Sequence, residues 1–181
     1  MPDAKNRGPK TADYFAELYV AGRFAEAGWN IYFPRRDRGF DFIVSKATGN
    51  REQLIRPVQV KGKYPTTAKR DRSAYGFLGE LSEVHPEMVL AIPFFSPGAY
   101  EIPTCIAYMP LTEVRPHRRG CKCEPASLRQ GTAEPRRDFK RFFNDEGLAL
   151  VADLQWAHQD NQRPDIGVQA TPADRIASRR G

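Results

Sequence analysis

Nowhere in its 181 residues does the chain carry an apolar run near the roughly 20 residues that span a bilayer. No helical membrane anchor is therefore expected. The opening segment, Met1 to Arg7, lacks the apolar core of a secretory signal, so the expected location is cytoplasmic. Cysteine is scarce: Cys105, Cys121 and Cys123 make an odd count, which argues against a disulfide framework. His85 and His158 have no visible partners, and no internal repeat is present.

What the chain has in surplus is positive charge. Lysine and arginine number 28 against 22 acids, a formal charge of +6, and the isoelectric point is about 9.4. That balance suits a polyanionic partner, nucleic acid first. The basic residues gather in three groups: Arg35, Arg36 and Arg38; then Arg56, Lys61, Lys63, Lys69, Arg70 and Arg72; then a run from Arg115 to Arg141 that includes Arg118, Arg119 and Lys122.

The length suits one domain with a real core, expected over residues 11–158. Residues 1–10 read as a disordered lead-in and 159–181 as a polar basic tail. An amphipathic helix is predicted over 11–28, with Thr11 as N-cap and Gly28 as the stop. Its apolar stripe is drawn by Tyr14, Leu18, Ala21 and Ala25, with Val20 and Phe24 on one side and Phe15 on the other. Glu17 projects into the apolar arc between Phe24 and Ala21. Asp13, one turn earlier, is read as an ordinary first-turn acid. Extended runs follow at Trp29 to Phe33, Phe40 to Val44, Val58 to Lys61, Met88 to Phe95 and Thr104 to Met109. Residues 35–39 form a turn and 47–51 a hairpin loop. Residues 62–75 read as a polar loop near the site, and 115–135 as a basic loop. Asp138 to Glu146 is predicted as a short helix with Phe139, Phe142 and Phe143 on its apolar side. The order gives an α+β fold, a central mixed sheet flanked by helices.

Two of these runs carry polar groups where a buried strand should carry none. Asp41 lies within Gly39-Phe40-Asp41-Phe42-Ile43-Val44. Gln59 and Lys61, two apart, share one face of Val58-Gln59-Val60-Lys61. Burying an acid, an amide and an ammonium costs on the order of several kcal/mol. A fold tolerates this where the groups meet each other, a metal or a substrate.

Glu17 on the first helix, Gly39-Phe40-Asp41 on one strand and Gln59-Val60-Lys61 on the next together resemble the PD-(D/E)XK nuclease superfamily. The likeness is closer to the archaeal Holliday-junction resolvases and to restriction-endonuclease families that use Gln-Xaa-Lys. It covers roughly residues 11–95. The resemblance implies a restriction-endonuclease-like sheet and a divalent cation, magnesium or manganese, held by hard oxygen donors. Asp41 would be the main ligand, with the Gln59 side-chain carbonyl and the Val60 backbone carbonyl beside it. Glu17 would reach a metal-bound water or a second metal. Lys61 would orient the attacking water or neutralise charge on the phosphate. Gln59 stands where an acid is commoner, which favours one metal over two. The implied activity is phosphodiester hydrolysis, on DNA in preference to RNA, and the resemblance also implies a homodimer presenting two sites to two strands. Arg35, Arg36, Arg38, Lys63, Lys69, Arg70, Arg118, Arg119 and Lys122 are the expected nucleic-acid contacts.

A second reading is a non-catalytic nucleic-acid-binding protein on the same fold. A third is a zinc-stabilised module using Cys105, His117, Cys121 and Cys123. Zinc is disfavoured because Cys-Xaa-Cys is tighter than the usual knuckle and no second knuckle is present.

Overall fold

The computed structural model describes residues 9–35, 39–49, 53–64, 76–81, 84–98, 101–129, 132–153 and 156. Helix α1 spans Pro9–Glu26. It starts two residues before the predicted Thr11 cap, and proline suits a first helical turn. Its end is a Schellman motif. Gly28 has φ +81, Trp29 N–H donates to the Phe24 carbonyl at 3.0 Å, and Gly28 N–H donates to Ala25 at 3.0 Å. The rings of Phe24 and Trp29 close the motif edge-on, with centroids 5.8 Å apart.

The buried stripe of α1 keeps Val20, Ala21 and Phe24 from the predicted one and differs in the rest. Ala16, Val20, Ala21 and Phe24 are buried, while Tyr14, Phe15 and Leu18 are exposed. Small residues let the helix approach the sheet, so the largest side chains turn outward. Phe24 then reaches Phe42 at 6.0 Å and Tyr108 at 5.5 Å.

The central sheet has five strands: β1 (Asn30–Tyr32), β2 (Phe42–Ala47), β3 (Gln53–Val60), β5 (Val89–Phe94) and β6 (Cys105–Pro110), in that spatial order. β1, β2 and β3 form an antiparallel meander, β5 lies parallel to β3, and β6 returns antiparallel to β5. The protein is therefore α+β with a mixed sheet. β3 is longer than predicted because it takes in Arg56 and Pro57, which read as interruptions. Arg56 is buried at 3 % exposure. It pairs with Glu87 and donates to the carbonyls of Val151 at 3.3 Å and Asp153 at 2.8 Å. It belongs to the scaffold and is not part of a basic surface.

The crossover from β3 to β5 gives up β4 (Phe77–Gly79) to a separate sheet with β8 (Gly120–Lys122) and β7 (Arg115–His117). A hairpin of β9 (Ala126–Arg129) and β10 (Thr132–Pro135) follows. The predicted basic loop is thus largely strand, because alternation in short strands was masked by its prolines and glycines. The predicted helix at 138–146 is split. A 3-10 segment runs Arg137–Phe142, and α2 spans Asn144–Leu150. Phe142 and Phe143 are buried between them and the sheet. Among the described residues, no helix is long and apolar enough to cross a membrane. The expected lead-in and tail lie almost wholly outside the described residues.

Candidate active site

Gly39 brings the chain into β2. It is buried and has φ +84, a conformation that a side chain rarely adopts. Two residues on, Asp41 is held twice by β3. Its N–H donates to the Val58 carbonyl at 3.0 Å, and its Oδ2 accepts from Val60 N–H at 2.5 Å. Phe42 pairs with Val58, and Asp41, one residue before β2, lies against the Val58 to Val60 stretch of β3.

Gln59 is 6 % exposed, and among the described residues its Oε1 meets no hydrogen-bond donor. A buried amide oxygen left unpaired costs about 1–3 kcal/mol, so this atom calls for an electrophile. Lys61 follows β3 directly. Its N–H donates to Ala91 at 2.9 Å, which keeps the strand geometry and puts its side chain on the Gln59 face. The N–H and C=O of a strand residue point to the same side. The Val60 carbonyl is thus directed where its N–H meets Asp41. A carboxylate, an amide oxygen and a backbone carbonyl are donors of the hard kind that magnesium takes.

Glu17 is half-buried on α1. Its carboxylate and that of Asp13, after burial, raise the pKa of the Tyr64 phenol. Asp13 is exposed as a residue, yet burial of its carboxyl raises its pKa while the Lys61 ammonium pulls it down. Asp13, read from sequence as a first-turn acid, is thus electrostatically tied to Lys61. Among the described residues, no group of three or more His, Cys, Asp or Glu gathers as a metal site. Glu17 is therefore not brought into one cluster with Asp41 and a further acid. Tyr64 was missed altogether. It stacks on Phe95, with centroids 4.6 Å apart, and folds back over Gly62, where a Cβ would sit 2.6 Å from its hydroxyl. A glycine between two lysines, followed by a tyrosine, was the available signal.

Lys63, expected as a solvated phosphate contact, instead donates its ammonium to the Phe77 carbonyl of β4. Burial, then the Lys61 charge, lowers its pKa to about 8. Between that value and the ordinary lysine range, the unfolded chain holds a proton that the folded one has lost. The wild type should therefore gain stability as pH rises through the window from about 8 to about 10.5. Denaturant titrations at several pH values should show Lys63→Met losing ground to the wild type across that window. A constant difference would show that Lys63 titrates normally.

Arg35 is exposed beyond β1, and Arg118 and Arg119 are exposed at the β7–β8 turn. Lys122 is half-buried and paired with Glu124 at 2.9 Å. Arg36, Arg38, Lys69 and Arg70 lie outside the described residues. Cys105, Cys121 and Cys123 are all buried. Burial pushes their thiols up, that of Cys123 to about 12. The His117 ring meets Phe77 at 5.5 Å. Neither a family model nor a curated protein nor a solved structure matches the chain.

Proposed function

We propose that the protein is a metal-dependent phosphodiesterase acting on DNA, an endonuclease with a restriction-endonuclease-like sheet of the PD-(D/E)XK kind. The observation that carries the reading is the unsatisfied, buried Gln59 Oε1, one residue before Val60, whose N–H holds the Asp41 carboxylate. A divalent cation there would polarise the scissile phosphate and acidify a water. Asp41, Gln59 and the Val60 carbonyl would hold it, and Glu17 would act from α1. The Val60 N–H fixes the Asp41 carboxylate in place, so little reorganisation accompanies binding. Lys61 places a positive charge on the Gln59 face, where the phosphate gains negative charge in the transition state. Arg35, Arg118 and Arg119 would meet the flanking backbone. The cofactor is magnesium or manganese, and a homodimer remains part of the proposal.

A non-catalytic nucleic-acid-binding role is the second reading. It is favoured by the neutral Gln59 and by the lack, among the described residues, of a cluster of three acids. The two separate on a panel of supercoiled, linear, single-stranded and branched DNA plus RNA, each with magnesium, manganese or EDTA. We expect cutting of DNA that requires the metal. Salt-sensitive binding with no cutting under any metal would establish the second reading.

A further inference from the structure

The small sheet of β4, β8 and β7 sets like charges against each other. Arg115 of β7 pairs directly with Lys122 of β8. Cross-strand partners project to one face, and like charges placed this way destabilise a sheet. Cys121, the neighbour of Lys122 on β8, is buried, so the basic face is the outer one. Phe77 pairs with Lys122, and its ring meets that of His117, which fills the same face. Arg136, just ahead of the 3-10 segment, joins Arg115 and Lys122 around one cavity, with Phe139, Glu113 and Glu124 beside them. Glu124 answers Lys122 at 2.9 Å. Arg115 and Arg136 are exposed, and neither pairs with an acid among the described residues. Three cations against two acids leave the cavity net positive, and an anion would relieve the repulsion. At about 100 Å³ the cavity falls below the roughly 300 Å³ at which small-molecule sites begin. It suits one anionic group of a larger partner.

Resting on the phosphodiesterase reading, we infer that the outer face of this sheet holds the phosphate backbone of the DNA away from the cut, with Arg115 and Arg136 as its central contacts. Guanidinium matches phosphate oxygens two at a time. Contacts of this kind position the nucleic acid without reading its sequence. Arg118 and Arg119, exposed at the β7–β8 turn, extend the same surface. The sheet is fixed beside the site. Lys63, two residues past Lys61, donates its ammonium to the Phe77 carbonyl of β4, and its own N–H donates to Pro93 at 2.9 Å. DNA held on the outer face is thereby kept in a set position relative to Lys61.

The test measures binding apart from cleavage. Asp41→Asn protein in EDTA is titrated, by fluorescence anisotropy, into a labelled DNA duplex at several salt concentrations. Arg115→Ala and Arg136→Ala are added to that background singly and together, with melting curves to check folding. Each should weaken binding and lower the slope of log affinity against log salt by about 0.9, and the pair by about 1.8. Arg115→Lys should keep the slope, because it keeps the charge. Arg129→Ala, which removes a guanidinium already paired with Glu134 at 3.4 Å, should change neither quantity. Unaltered affinity and slope in the double variant would overturn the inference. Equal losses in Arg129→Ala would do the same, since net charge alone would then be at work. So would an arginine-dependent site for inorganic phosphate, seen by calorimetry, with duplex binding intact. Metal-dependent cutting that the arginine pair does not affect at any salt concentration would sink this inference alone. Arginine-dependent binding with no cutting by the wild type would uphold it and sink the phosphodiesterase reading.

Discussion

Asp41→Asn is expected to lower metal-dependent cleavage by roughly 10²–10³-fold, the scale set by removing one preorganised charge-stabilising group from an active site. The change is chosen because asparagine keeps an oxygen in reach of Val60 N–H, which Asp41 Oδ2 now accepts at 2.5 Å. It removes the charge and leaves the β2–β3 junction closed. Asp41 is the only anionic member of the trio with Gln59 and the Val60 carbonyl, so no neighbouring carboxylate on these strands can take over. Asp41→Ala should cost more, because it also strands the Val60 N–H at about 1–3 kcal/mol. Comparing initial rates and melting curves for the two variants separates charge from scaffold. If Asp41→Asn cuts at the wild-type rate, the catalytic assignment fails. If it loses activity only in step with stability, Asp41 is structural.

The strands that carry the site were legible in the sequence because β-branched and aromatic residues crowd around three polar groups. Phe40 to Val44 and Val58 to Lys61 were expected as strands, and β2 and β3 overlap those positions as antiparallel neighbours, with Asp41 just before β2 and Lys61 just after β3. Two later strands, at Val89–Phe94 and Cys105–Pro110, also fall where apolar runs put them. The N-terminal half of β3 was not legible, because Arg56 and Pro57 look like a break. Only the tertiary partners of Arg56 show how a charge can lie inside a strand. The buried side of α1 was misread for a different reason. Hydrophobicity alone favours Tyr14 and Leu18, whereas close helix-to-sheet approach selects Ala16 beside the expected Val20 and Ala21.

For the site, the sequence could propose Asp41, Gln59 and Lys61 through period-two spacing. It could not reveal that the amide oxygen of Gln59 lacks a partner, since that depends on everything packed around it. Nor could it assign Lys63. Adjacent basic residues read as a single surface, yet the ammonium of Lys63 is turned onto the Phe77 carbonyl of a second sheet. The tie between Asp13 and Lys61 joins residues 48 positions apart, from the first turns of α1 and the end of β3. Sequence spacing carries no information about that distance.

The other large effect concerns stability alone. Arg56→Ala should destabilise the fold by about 3–5 kcal/mol, the usual consequence of breaking a buried ion pair from one side. The guanidinium is fully charged at any accessible pH, and burial is the main force lowering its pKa. It is stabilised where it lies by Glu87 and by the carbonyls of Val151 and Asp153, which close the chain beyond α2. Truncation leaves Glu87 and both carbonyls without their donor and empties a volume in the middle of β3. For a chain of this size the loss corresponds to a fall in melting temperature of roughly 10 °C. Arg56→Met combined with Glu87→Leu should recover much of it, because removing both charges avoids the stranded partner. Arg56 shares β3 with Gln59, so loosening there should also blunt cleavage near the melting transition and leave it intact well below. A loss under about 1 kcal/mol would place the guanidinium in contact with water, and the interior reading of β3 would then have to be abandoned.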